Sequence, residues 1–161
     1  MYIVVGLGNP GEAYARTRHN TGRMVADFLS DKIKGVKIYT LDTYMNKSGS
    51  AVVKVMAGKS VKKLIVVYDD LDLPFGSMKI SYNRSSGGHK GLESIIKALK
   101  TKEFIRIRIG IGKSEEVEKH ILGQFKKPEL EILKKVFKSV QGAVEAIVEH
   151  GLASAMTEFN A

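Results

Sequence analysis

A single-domain α/β sandwich around a mixed, largely parallel sheet is the fold this sequence predicts, on three observations. Short apolar strands alternate with segments of helical periodicity, the pattern of helices packed on a central sheet. Two further strand-like stretches, "MKISY" and "FIRIRIGIG", look hairpin-like, so the sheet is expected to be mixed rather than purely parallel. A chain of 161 residues, 43% apolar and 27% charged, suits one hydrophobic core, and no repeat, low-complexity tract or linker divides it. One domain over residues 1–161 is expected.

The elements follow in order. "YIVV" reads as a buried strand that stops at Gly6. Met24, Val25, Phe28 and Leu29 recur at helical spacing, which predicts a helix from about Gly22 into the thirties. "KIYT" is a short strand. Ser48 is placed to cap a helix through "AVVKVMA", with Gly58 as its stop. "KLIVVYDD" is the clearest strand, ending in a cluster of carboxylates. "MKISY" alternates as a strand does, and "GGHKGLESIIKAL" is a glycine turn opening into a helix. "FIRIRIGIG" alternates almost throughout. Leu130, Leu133, Phe137, Val140, Val144 and Ile147 define a long amphipathic helix that ends at Gly151.

Composition bounds the function. The chain has no cysteine, which excludes a disulfide framework and thiolate chemistry. No run approaches the roughly 18 apolar residues of a membrane span, and "MYIVVGLGNP" lacks the basic start and cleavage site of a signal peptide. A cytoplasmic protein is expected. Twenty-six basic residues against 17 acidic ones give a formal charge of +9. Such a surface favours an anionic partner, most often nucleic acid, although a solubilising lysine coat would give the same count.

The string "GLGNPG" fits G-x-G-x-x-G, the dinucleotide-binding pattern. That chemistry also needs a helix opening at the turn and an acid at the end of the second strand. Here the turn runs into polar "PGEAYARTRHNTG", and the acid at the right distance, Asp27, falls inside a predicted helix. The pattern is better read as a stiff turn of Gly6, Gly8, Pro10 and Gly11 that presents Asn9. An amide there offers a donor and an acceptor to a peptide-like group. This turn and the "DDLD" cluster both sit at strand ends, where ligands gather in such sheets, so the two are expected to be neighbours.

Among the histidines, His150 closes the last helix, where a cation suits the dipole, and His120 in "EKHILGQF" reads as a packing residue. His19 in "TRHNTG" and His89 in "SSGGHKG" lie in loops dense with small and polar residues. These are the candidates for chemistry.

Taken together, "VGLGNPGEAYARTRHNTG", "TYMNKSG", "VVYDDLDLPFG", "GGHKGL" and "RIRIGIG" closely resemble bacterial-type peptidyl-tRNA hydrolases, in the family's order and from the first strand to about residue 112. The ending "VEHGLASAMTEFN" is also family-like. The resemblance implies cleavage of the ester between peptide and tRNA, in a monomer, with no metal and no other cofactor. It implies that His19 is the general base, that Asp69 keeps it basic and oriented, and that Asn9 distinguishes blocked from unblocked aminoacyl groups. It implies substrate contacts at Tyr14, Tyr44, Asn46 and His89, and tRNA phosphate contacts at Lys79 and Arg108. Arg106 and Arg108, two apart on one strand, are expected to share an exposed basic face. The residue types suit ester hydrolysis, since an imidazole takes a proton from water near neutral pH and a carboxylate fixes its tautomer. A free α-amine is charged and costly to desolvate, whereas a peptide amide is neutral and can pair with an amide side chain.

Two features depart from the family. The segment "KGVKIYTLD" before "TYMNKSG" is much shorter than usual, which puts the sheet edge in question. Lys90 occupies a position where well-known members have asparagine; at a helix start it is expected to reach a phosphate or ribose near the tRNA 3′ end. Two rival readings use the same residues. One is a metal-dependent phosphoryl-transfer enzyme built on Asp69, Asp70 and Asp72. The other is a non-catalytic RNA-binding protein that retains the fold.

Overall fold

The computed structural model describes residues 1–160, and its centre is a five-stranded sheet. The strands are β1 (Tyr2–Gly6), β2 (Val36–Thr40), β3 (Leu64–Asp70), β4 (Met78–Tyr82) and β5 (Ile105–Gly110), in spatial order β2-β1-β3-β5-β4. The first four in that order run parallel, and β4 closes the edge antiparallel to β5. The mixed sheet is therefore as expected. The antiparallel pair is not a hairpin, because a helix and its loops separate β4 from β5 in sequence.

The helices are α1 (Thr21–Leu29), α2 (Ser48–Val55), α3 (Lys90–Leu99), α4 (Val117–Leu122), α5 (Lys127–His150) and α6 (Leu152–Phe159). Strand alternation sends Ile65 and Val67 of β3, with Ile105, Ile107 and Ile109 of β5, into one core beneath α1, α5 and α6. Leu64, Val66 and Tyr68 face the opposite way, into a second core with α2 and α3. Each fully buried aliphatic side chain contributes about 1.5–3 kcal/mol, so two covered faces make the sheet the rigid part of the molecule. No helix is long and apolar enough to cross a membrane among the described residues.

Glycines set how closely α1 lies on the sheet. A Cβ at Gly6 would come within 2.1 Å of the Gly22 carbonyl oxygen, and one at Gly22 within 2.1 Å of that of Val67. Only Gly11 of the "GLGNPG" turn has a positive φ, +104°. The pattern thus serves close helix–strand contact, and no helix opens at the turn: α1 starts at Thr21.

Several local expectations are corrected. α1 stops at Leu29, short of the thirties, because Asp31 at φ +63° and Gly35 at φ +83° turn the chain into β2. Ser48 does not cap α2. A single helical turn at Met45–Lys47 feeds the chain in, and Ser48 lies inside the first α-turn, donating to the Met45 carbonyl at 2.7 Å. The short segment before Tyr44 still supplies an edge strand, with β2 paired to β1 over five residues. Periodicity does not reveal α4 and α6; at six and eight residues they are too short to show it.

Candidate active site

The carboxyl ends of β1 and β3 are adjacent, and the site forms there. Asp69 is the penultimate residue of β3 and is 4% exposed. Its two oxygens take two histidines: Oδ2 meets His19 Nδ1 at 2.8 Å, and Oδ1 meets His89 Nε2 at 2.9 Å. His19 comes from the single helical turn Arg18–Asn20 that leads into α1 and is 6% exposed. His89 precedes α3 and caps it, its Nδ1 accepting from the Leu92 N–H at 3.3 Å.

These contacts set the tautomers. His89 Nδ1 accepts, so Nε2 carries the proton and donates to Asp69, and both nitrogens of this ring are engaged. His19 Nδ1–H donates to the other carboxylate oxygen, which leaves Nε2 as a lone-pair acceptor without a protein partner among the described residues. Burial disfavours the charged form of His19, but the Asp69 carboxylate outweighs it by charge and hydrogen bond, and the pKa is raised above 6.5. Burial opposes the ionised form of Asp69 as well; His89 and His19 overcome it and hold the carboxyl well below the usual range. The ligating atoms of His19, Asp69 and His89 lie within 4.8 Å of one another, the spacing of a possible cation site. Both imidazoles already bond the carboxylate, so a cation there would have to displace those bonds.

Asn9 stands beside this cluster. Its backbone N–H donates to Asn20 Oδ1 at 2.8 Å, and its carbonyl accepts from Asn20 Nδ2 at 2.9 Å, which locks the turn next to His19. Asn9 Oδ1 accepts from the Met45 N–H at 2.8 Å. That bond uses one of the two lone pairs of Oδ1, and the NH₂ has no protein partner among the described residues. Gly91, the second residue of α3, lets Met45 pack closely, since a Cβ there would meet Met45 Sδ at 2.5 Å. Tyr14 and Tyr44 meet edge-on with ring centroids 6.3 Å apart, Tyr14 half-buried and Tyr44 58% exposed.

A cleft of about 630 Å³ opens over His19, Asp69 and His89. One wall carries Arg84, Lys90 and the turn Ser85–Gly88; the other carries Val117, Ile121 and Leu122 of α4. The Tyr68 ring closes against His89 edge-on at 5.1 Å, and burial, then Asp70, pushes its hydroxyl up to about 12. Sequence reasoning missed Arg84 and the apolar side of α4, whose six residues are too few to show a helical period. His120 is half-buried and ties α4 to the sheet through Ile111 at 2.9 Å, in line with its reading as a packing residue.

The structure gathers His19, Asp69, His89 and Lys90 in one cleft with Asn9 adjoining it, but leaves other expected site residues apart. Asn46 is exposed and borders a neighbouring groove, which Lys90 shares with the cleft. Lys79 is exposed on edge strand β4, outside the cleft. The exposed basic face expected of β5 does not exist. Arg106 and Arg108 do share a face, but both are buried. Arg108 Nε donates to Asp70 Oδ2 at 2.7 Å and Nη1 to Ser81 at 3.2 Å. Arg106 donates to the carbonyls of Lys102, Phe104 and Arg84, and lies 3.8 Å over the Phe104 ring. The strand has cover on both sides, and alternation alone cannot reveal that. The carboxylates of a three-acid cation site are dispersed in the same way: Asp69 goes to the histidines, Asp70 to Arg108, and Asp72 to solvent.

Known proteins match this chain along its whole length. The family model described as peptidyl-tRNA hydrolase matches residues 3–40 and 32–161, and the break falls in the shortened segment. A peptidyl-tRNA hydrolase of Thermodesulfovibrio yellowstonii is 42% identical, with 99% of each chain covered. One of Fervidobacterium nodosum is 44% identical over 98% of this chain and 95% of its own. The crystal structure of peptidyl-tRNA hydrolase from Acinetobacter baumannii superposes with a TM-score of 0.92 at 30% identity, covering all of this chain and 95% of that one. With its fold, its ordered motifs and its full-length relatives in agreement, this chain belongs to the peptidyl-tRNA hydrolase family.

Proposed function

We propose that the protein hydrolyses the ester joining peptide to tRNA in peptidyl-tRNA, with His19 as general base. The observation that carries the proposal is the free Nε2 of a buried histidine whose Nδ1 is held by Asp69 at 2.8 Å, at the floor of a cleft. His19 Nε2 takes a proton from water, and the water oxygen attacks the ester carbonyl carbon. The imidazolium is stabilised by Asp69, which is itself fixed by His89. The tetrahedral intermediate collapses, the C–O bond to the tRNA 3′ oxygen breaks, and His19 returns its proton to that oxygen. The products are a peptide carboxylic acid, which ionises, and free tRNA.

The NH₂ of Asn9, which has no protein partner among the described residues, donates to a carbonyl of the peptide or to the developing oxyanion, while Oδ1 is turned to the Met45 N–H. Unblocked aminoacyl-tRNA is disfavoured because its ammonium would have to lose water without finding an acceptor there. His89, with both nitrogens engaged, acts here as a positioning residue for Asp69 rather than as a substrate contact. Tyr14, Tyr44 and Asn46 meet the substrate on the Asn9 side, and Lys90 meets the phosphate or ribose of the tRNA 3′ end. Lys79 contributes a phosphate contact, while Arg108 acts through its ion pair with Asp70, holding the ends of β3 and β5. The enzyme works as a monomer in the cytoplasm and draws on no metal.

The test is incubation with N-acetyl-aminoacyl-tRNA and with unblocked aminoacyl-tRNA, each with and without exhaustive chelation. Rapid, chelator-insensitive cleavage of the blocked ester alone is expected. Equal cleavage of both esters, or loss of activity on chelation, would overturn the proposal.

A further inference from the structure

Lys90 borders two depressions, the cleft over His19 and a shallower groove of about 590 Å³ along α3. The groove begins at Asn46 and passes Glu93, Lys97 and Lys100, with Ser94 and Ala98 also lining it. Gly49 lets α2 approach the Ser94 backbone, where a Cβ would come within 2.2 Å of the carbonyl oxygen, and its N–H donates to Ser94 Oγ at 2.8 Å. The base of the groove is therefore rigid, while its lysines stand in solvent. Lys90 approaches Glu93 at 3.9 Å. No carboxylate lies within ion-pair distance of Lys97 or Lys100 among the described residues.

We infer that this groove receives the peptide moiety upstream of the scissile ester and favours acidic side chains there. The inference rests on the proposed hydrolase reading, in which Asn9 faces the peptide side of the ester. Asn9 holds Met45, and Asn46 opens the groove, so a peptide that passes Asn9 on leaving the ester continues along α3. Two features favour peptide over RNA. Glu93 interrupts the lysines and would repel a continuous run of phosphates, whereas a peptide of mixed charge tolerates it. The spacing also fits a peptide. Lys97 lies about 10 Å along the helix from Lys90 at 1.5 Å per residue. An extended peptide covers that distance in about three residues and reaches Lys100 in about five.

The experiment uses three substrates on the same tRNA. They are N-acetyl-aminoacyl-tRNA, which is too short to reach Lys97, and two peptidyl-tRNAs carrying a run of either glutamates or lysines upstream of the ester. For the wild-type protein, kcat/KM should be about two- to tenfold higher for the glutamate peptide, the scale of one or two exposed ion pairs, and added salt should shrink the difference. The double variant Lys97→Glu/Lys100→Glu should invert the order and leave the short substrate unchanged. Its thermal midpoint, measured alongside, should match the wild type because both positions are exposed. Equal rates for the two peptides on wild type would overturn the inference. So would a double variant that slows all three substrates alike, which would assign the groove to RNA. Failure of the wild type to cleave even the short substrate would count against the hydrolase reading itself.

Discussion

Asp69 and Asp70 are neighbours on β3, yet the molecule uses the two carboxylates in opposite ways. Asp69 is met by two imidazoles, those of His19 and His89. Asp70 is met by Arg108, whose Nε donates to one oxygen at 2.7 Å, and its other oxygen accepts from the Asp72 N–H at 2.7 Å. One partner set leaves a ring nitrogen, His19 Nε2, without a protein partner among the described residues. The other makes a clamp that joins the ends of β3 and β5 beside the cleft. Both side chains are largely withdrawn from solvent, so the nature of the partner, rather than depth, separates the two carboxylates.

The largest effect is expected at His19. His19→Ala should lower kcat about 10²-fold or more, the usual scale for loss of a general base, with tRNA binding nearly unchanged in a filter or gel-shift assay. Near-normal single-turnover rates in that variant would remove histidine from the mechanism.

Asp69→Asn should come next, with a loss of about tenfold or more in kcat and a displaced pH profile. As the proposed general base His19 must be unprotonated, so activity should rise with pH through its pKa, which Asp69 holds above 6.5 against the effect of burial. Without the carboxylate that pKa falls, and the acidic limb of kcat/KM should move to lower pH even as the plateau drops. A limb that stays in place would detach Asp69 from His19.

Asp70→Asn sharpens the contrast. It should keep turnover within about threefold, because no proton passes through this pair. It should still lower unfolding stability by about 1.5–3 kcal/mol, as a hydrogen bond to a charged, buried guanidinium is weakened. Chemical denaturation and steady-state kinetics on the same preparation test both halves. A folded variant with the kinetic defect of Asp69→Asn would erase the distinction.

The smallest effect belongs to Lys79, exposed on the edge strand directly opposite Arg108 in register. Lys79→Ala should raise KM modestly and flatten its dependence on log salt by about one unit, the signature of a single phosphate contact. A small N-blocked aminoacyl ester without tRNA should not respond.

Much of this was determined by the sequence alone. Strand and helix periods, with the glycines of "GLGNPG", set the order of elements and brought Asn9 and Asp69 to adjacent strand ends, because parallel strands deliver their carboxyl termini to one edge. The ordered motifs singled out His19, Asp69 and Asn9 before any contact was visible. Tertiary structure decided the rest. Alternation in "FIRIRIGIG" shows that Arg106 and Arg108 share a face, but only the contacts of Arg106 with the Arg84, Lys102 and Phe104 carbonyls, and of Arg108 with Asp70 and Ser81, show that face to be covered. Likewise, "GGHKG" shows a loop histidine, while its role follows from the Leu92 N–H, which fixes one tautomer and points Nε2–H at Asp69. Sequence patterns record which residue types recur at which spacing. Who donates to whom depends on distances between segments far apart in the chain, and those exist only once the sheet has closed.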